Sequence, residues 1–129
     1  MWILELIKII HILGPVSDGS IRLITGRSSN EGYVEIYHDG LWASICRDSW
    51  DLNDGRVACR QFGYRNVSTI NCCSTLIPRI GPYWLPNLQC NGSESNLVDC
   101  HDFGWRNRSS STLCTRYNAY PAAVRCAGE

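Results

Sequence analysis
The chain has 129 residues, 8 of them cysteine, and twelve basic and twelve acidic residues that cancel to a formal charge of zero. That length holds one ordinary domain, and 44% hydrophobic with 19% charged residues excludes a disordered acidic tail and a fibrous repeat. The balanced charge gives no basic footprint for nucleic acid, while eight cysteines in so short a chain point to an oxidising compartment and a disulfide framework.

Residues 1–14, MWILELIKIIHILG, are apolar apart from Glu5, Lys8 and His11. The run is shorter than the roughly 20 residues of a membrane span and fits the core of a signal peptide. An amphipathic helix or a fragment start is the other reading, so residues 1–18 are set apart as a leader. Ile21 to Thr25 alternates and predicts a strand. Gly26 to Glu31 is a Ser/Asn-rich turn. Tyr33 to Tyr37 predicts a second strand, rich in aromatic and β-branched residues. Asp39-Gly40 is a two-residue hairpin signal, because a type I′ turn needs positive φ at both centres. Leu41 to Cys46 is the returning strand. Asp51 or Asn53 can cap a helix over about 53–62, buried on its Val57/Ala58/Phe62 face and stopped by Gly63. Residues 64–82 read as loop, broken by Pro78 and Gly81-Pro82. Tyr83-Trp84-Leu85 is a short apolar run. Asn91 to Asn96 is turn-like and leads to one helical turn at Leu97–Cys100. Ala122 to Cys126 predicts a closing strand.

The cysteines stand at Cys46, Cys59, Cys72, Cys73, Cys90, Cys100, Cys114 and Cys126, with no CxxC spacing of a zinc ribbon or redox motif. Their spacing alone leaves the connectivity open. His101 beside Cys100 reads as a surface histidine next to a bridged cysteine. A nucleophilic triad needs a free nucleophile within reach of a base. The histidines are only His11, His38 and His101, and the cysteines are largely committed to bridges, so no enzyme is expected.

Three blocks carry a family resemblance: GSIRLITGRSSNEGYVEIYHDGLWASICRDSWDLNDGRVACRQFGY, then GPYWLPNLQCNGSESNLVDC, then FGW with a final AVRC. Together they resemble a scavenger receptor cysteine-rich domain over residues 19–127. The resemblance implies a small disulfide-stabilised α+β fold, a curved antiparallel β-sheet cradling one α-helix. It also implies the pairs Cys46–Cys114, Cys59–Cys126 and Cys90–Cys100, the six-cysteine class. In a chain-entropy picture each long loop contributes about 4 kcal/mol and the short one about 3. Cys72 and Cys73 are extra. They are a vicinal disulfide, a link to another chain or domain, or a reduced pair.

Members of this family share a divalent-cation site, commonly calcium, built from carboxylates. Here the family's adjacent acidic pair is Arg47-Asp48, and its third acidic position falls near Tyr120. The acidic pair that the family often carries after Trp84-Leu85 is Pro86-Asn87. Asp48 alone is a weak metal candidate, and calcium binding at the usual site is expected to be weak or absent, with no other cofactor implied. Asp51 and Asp54 read as helix caps, and Asp48 as an ion-pair partner of Arg47. An anion-binding Arg-x-Arg of some members is replaced here by Glu31-Gly32-Tyr33. Arg106-Asn107-Arg108 is a different Arg-x-Arg, suited to bidentate anion contacts. Arg47, Asp48, Arg106 and Arg108 are therefore the candidate ligand-binding residues. Val34-Glu35-Ile36-Tyr37 with Trp42 resembles a bacteria-binding pattern of the family. Asn66, Asn91 and Asn107 head Asn-x-Ser sequons, each in a predicted loop.

The resemblance implies an extracellular, non-catalytic binding module for proteins, polyanionic glycans or microbial surface ligands. Its localisation would be secreted or on a receptor ectodomain, with no nucleic acid partner and membrane contact only through a parent receptor. The alternative is a structural or assembly module of a larger mosaic receptor or secreted enzyme.

Overall fold
The computed structural model describes residues 16–24, 26–47, 50–72, 83–84, 88–101 and 121–128, with backbone alone at 83–84. Among the described residues six strands and one α-helix follow in chain order: β1 Ile21–Ile24, β2 Glu31–His38, β3 Leu41–Ile45, α1 Leu52–Gln61, β4 Asn66–Ile70, β5 Tyr83–Trp84 and β6 Ala123–Ala127. A short 3₁₀ helix, Leu97–Asp99, precedes Cys100.

β2 is the hub of the sheet. β1 lies antiparallel to it, with Ile21 opposite Ile36 and Ile24 opposite Tyr33. β3 pairs with the second half of β2, from Glu35 to His38, and β6 with the first part, from Glu31 to Tyr33. Since β1 already occupies Tyr33 to Ile36 along one edge, β3 and β6 share the other edge end to end. The link between them is the Cys46–Pro121 bridge and the bond from Ala122 N to the Ile45 carbonyl. β5 adds to β3 in parallel, and β4 closes the opposite end on β6. Asp39 and Gly40 have φ of 52° and 79°, the left-handed pair that the β2–β3 hairpin requires.

Alternation along β2 sends Val34 and Ile36 to one face, where they meet Ile45, Val57, Ala58, Leu97 and Val124 in the core. The helix crosses that face. Its start is a capping box: the Asp51 carboxylate accepts from Asp54 N at 3.0 Å, and Asp54 accepts from Asp51 N at 3.0 Å. Close approach to the sheet depends on Gly55, where an added Cβ would stand 2.7 Å from Ile70 Cγ2. At the other end Gln61 donates to the Gly19 carbonyl and accepts from Leu97 N, tying the lead-in to β1 and the 3₁₀ turn to one side chain.

The loop expected over 64–82 is corrected at its start. Asn66–Ile70 is a strand, paired with β6 through a bulge between Val67 and Thr69. Its sequence, NVSTI, is short and half polar because the strand sits at the end of the sheet, with Val67 and Ile70 alone turned toward the core. The helix runs one residue earlier than expected at each end. Asp51 is its cap, and Phe62 is half-buried at its C-terminus.

Candidate functional site
The face of β2 away from the helix carries Glu31, Tyr33, Glu35 and Tyr37. Glu35 is only 1% exposed, yet it is a carboxylate. Burying it demands a partner, and its register partner on β1, Arg22, supplies one: Arg22 Nη2 is 2.7 Å and Nε 2.8 Å from Glu35 Oε1. Glu31 repeats the arrangement on the opposite edge. Its register partner on β6 is Arg125, whose Nε lies 3.1 Å from Glu31 Oε1. In each pair the carboxylate is buried and the arginine side chain is close to half exposed. Arg22 also lies over the Trp42 ring, 4.2 Å from its centroid, and Trp42 packs edge-on against Tyr37 at 5.3 Å. Cation–π and edge-to-face contacts of this kind fix all three side chains. Glu31 and Glu35 are four residues apart on one strand, which spaces the two arginines by about 13 Å along β2.

This rigid pair of guanidinium groups was not singled out in the sequence. Arg22, in the alternating run Ile21–Ile24, carried a usable signal, since a charged residue facing Glu35 across a predicted hairpin neighbour is legible. Arg125 carried none, because it meets Glu31 across 94 residues.

The predicted site residues fall as follows. Arg47 is half-buried just after β3, and its carbonyl accepts from Trp50 N at 2.9 Å. Asp48, Arg106, Arg108 and Asn107 lie outside the described residues, as do Cys73 and Cys114. Cys59 is bonded to Cys126, and Cys90 to Cys100. Cys46 and Cys72 are disulfide-bonded as well. The bond at Cys72 removes the reduced-pair reading for that residue; the pairs Cys46–Cys114 and Cys72–Cys73 reach outside the described residues. In the Val34–Tyr37 segment, Val34 and Ile36 are fully buried with Glu35, so the folded strand presents only Tyr37, with Trp42 beside it. The loop placement of Asn66 is corrected, since it opens β4, whereas Asn91 lies outside helix and strand as expected.

Asp51 and Asp54 are spent on the capping box. Asp54 is completely buried and also accepts from Cys90 N at 3.3 Å. Burial pushes its carboxyl up from 3.8 to about 7, against the lowering effect of its backbone N–H donors. Glu94 behaves oppositely. The N–H groups of Asn91, Gly92 and Ser93 hold its carboxyl below the usual range. Among the described residues Cys90, Glu94 and Cys100 cluster within 4.8 Å, but both sulfurs are consumed by their mutual bond, so the trio is no metal centre.

His38 Nδ1 lies 2.9 Å from Asp18 Oδ2, and the other Asp18 oxygen accepts from Asp39 N. Asp18 also borders an open cleft of about 250 Å³ with Ser17, Ser20, Gln61, Asn96 and Val98. Two polar side chains of that cleft are already engaged, Asn96 with Asp99 and Gln61 with backbone at both ends of its amide.

A small disulfide-bonded α+β domain, with its helix on one face of an antiparallel sheet and an arginine–aromatic cluster on the other, has the architecture of a binding module. The chain belongs to the scavenger receptor cysteine-rich domain family, whose model matches residues 24–127. It is 37% identical over 106 residues to galectin-3-binding protein of Bos taurus, covering 78% of this chain and 19% of that protein. It is also 37% identical over 92 residues to macrophage scavenger receptor types I and II of Bos taurus, covering 71% of this chain and 20% of that one. Among solved structures, the third domain of this family in murine neurotrypsin superposes with a TM-score of 0.65 at 31% identity, covering 83% of this chain and 94% of that one. The chain thus spans about a fifth of the length of these curated relatives. Members of the family are binding modules of receptors and secreted proteins, and the fold class expected from the sequence is the one found. No helix among the described residues is long and apolar enough to cross a membrane.

Proposed function
We propose that the chain is an extracellular, non-catalytic binding module, and that it recognises polyanions, sulfated or phosphorylated glycans above all, through the strand face bearing Arg22, Trp42 and Arg125. One observation carries this reading: two arginines are each anchored by a buried carboxylate and left half exposed on opposite edges of β2, offset by about 13 Å along that strand. An arginine fork has five N–H donors. Arg125 spends only Nε on Glu31, and Arg22 spends Nε and Nη2 on Glu35. The remaining donors suit the oxygens of sulfate and phosphate, in a fixed geometry that loses little entropy on binding. Two such points suit a ligand with repeating charge better than a single small anion. Arg106 and Arg108 are candidates to extend the surface.

The test is a binding panel of heparin, dextran sulfate and lipopolysaccharide, in calcium and in EDTA. Binding is expected to survive EDTA and to weaken steeply with salt. Arg22→Lys and Arg125→Lys keep a charge beside each buried glutamate but lose the fork. Each is expected to reduce affinity several-fold with an unchanged thermal melt. Binding abolished by EDTA would place a cation at the centre of recognition and overturn this reading. Equal binding by both lysine variants, with loss only in Arg106→Ala/Arg108→Ala, would transfer the site to that loop.

A further inference from the structure
Asn66 and Asn91 are 25 positions apart in sequence, yet the fold brings their sequons to a single patch. Asn66, at the head of β4, accepts from Arg56 Nε at 3.2 Å through its Oδ1. Arg56 Nη1 donates to Asn53 Oδ1 at 2.8 Å. A Cβ placed on Gly92, next to Asn91, would stand 3.1 Å from that same Asn53 Oδ1 and 3.2 Å from Arg56 Nη1. The two asparagines therefore flank one arginine over the first half of α1.

Their side chains are held in a way that leaves the acceptor nitrogen available. Asn66 Oδ1 takes bonds from Arg56 Nε and from Val67 N, and Asn91 Oδ1 takes bonds from both the backbone N and the hydroxyl of Ser93. Among the described residues neither Nδ2 makes a hydrogen bond, and both asparagines are exposed. A sugar on Nδ2 would leave every one of these bonds in place. β4 is also the end strand of the sheet and, among the described elements, pairs only with β6. A bulky solvated group at its head guards an edge that would otherwise template intermolecular pairing.

We infer that Asn66 and Asn91 are paired N-glycosylation sites that together cover the helix side of the domain, away from Arg22, Trp42 and Arg125. This rests on the extracellular reading above, because the donor is a lipid-diphosphate-linked oligosaccharide of the secretory route. The Nδ2–C1 bond of an N-acetylglucosamine forms, the C1–O bond to the lipid diphosphate breaks, and the amide proton is lost as the lipid diphosphate leaves.

The experiment is secretion of the chain from mammalian cells, followed by enzymatic deglycosylation in heavy-oxygen water and peptide mapping. Heavy-oxygen aspartate at both positions 66 and 91 is the expected result. Asn66→Gln and Asn91→Gln should each remove one glycan from the intact mass, and the double variant two, with binding to heparin unchanged in all three. Recovery of either position as unmodified asparagine in secreted, disulfide-bonded protein overturns the inference, as does loss of heparin binding when the glycans are present and its gain when they are removed. Failure to bind any polyanion regardless of glycan state would instead overturn only the proposed function.

Discussion
At the scale of single residues, the most consequential side chain is Asp54. It is buried at the helix start beside Asp51, whose charge works against its ionisation, and among the described residues no cation compensates it. Arg56 is turned to Asn53 and Asn66, and Arg60 to the Glu94 carbonyl. On β6, Arg125 is paired on the other face of the sheet. With the folded value raised from 3.8 to about 7, the protonated form is favoured by folding. The stabilisation is therefore fully present below about pH 4 and is lost as pH rises through about 7. Asp54→Asn mimics the protonated form. Urea titrations at pH 5 and pH 8 should find it gaining stability relative to the native chain as pH rises; a pH-independent difference would exclude this role. Gly55 gives a second residue-scale prediction. Gly55→Ala improves helix propensity by about 1 kcal/mol but forces a Cβ to 2.7 Å from Ile70 Cγ2. Overpacking is expected to win, with a net loss of about 1 to 2 kcal/mol in chemical denaturation.

At the scale of elements, the capping box and the hairpin turn are local devices and were readable as such. Asp51 stands before an apolar-periodic run, and Asp39-Gly40 sits between two β-rich runs. Asp51→Ala removes the acceptor for Asp54 N and should cost about 1 kcal/mol, read from the denaturation midpoint. β4 was not readable. Its Asn, Ser and Thr suit a turn as well as an end strand, and the strand exists because β6 offers it a ladder from more than fifty residues away. The Arg22–Glu35 pair was half readable, through alternation in β1 and β2. Its depth of burial was not, because one strand's pattern does not say that both faces of a sheet are covered.

At the scale of the whole molecule, stability depends on closing long loops around a small core. The Cys59–Cys126 bond joins α1 to β6 across 67 residues. Replacing both cysteines by alanine should cost about 4 kcal/mol in the chain-entropy picture, measured by guanidinium unfolding. A loss below 1 kcal/mol would mean that the helix–sheet core holds these elements without the covalent link. The same covalent frame keeps the arginine face rigid, so salt-dependent binding is expected to fall together with the fold when this bond is removed.

The sequence by itself determined the family, the fold class, the central hairpin and the helix, because these depend on near neighbours or on residue patterns over the whole chain, and it narrowed the cap to Asp51 or Asn53. The tertiary structure alone decided that two arginines become a paired surface, that Asn66 lies on a strand, and that Asn66 and Asn91 share one patch around Arg56. Each of those is a meeting of residues far apart in the chain. Sheet pairing and helix docking bring them together after burial of the core has set the register.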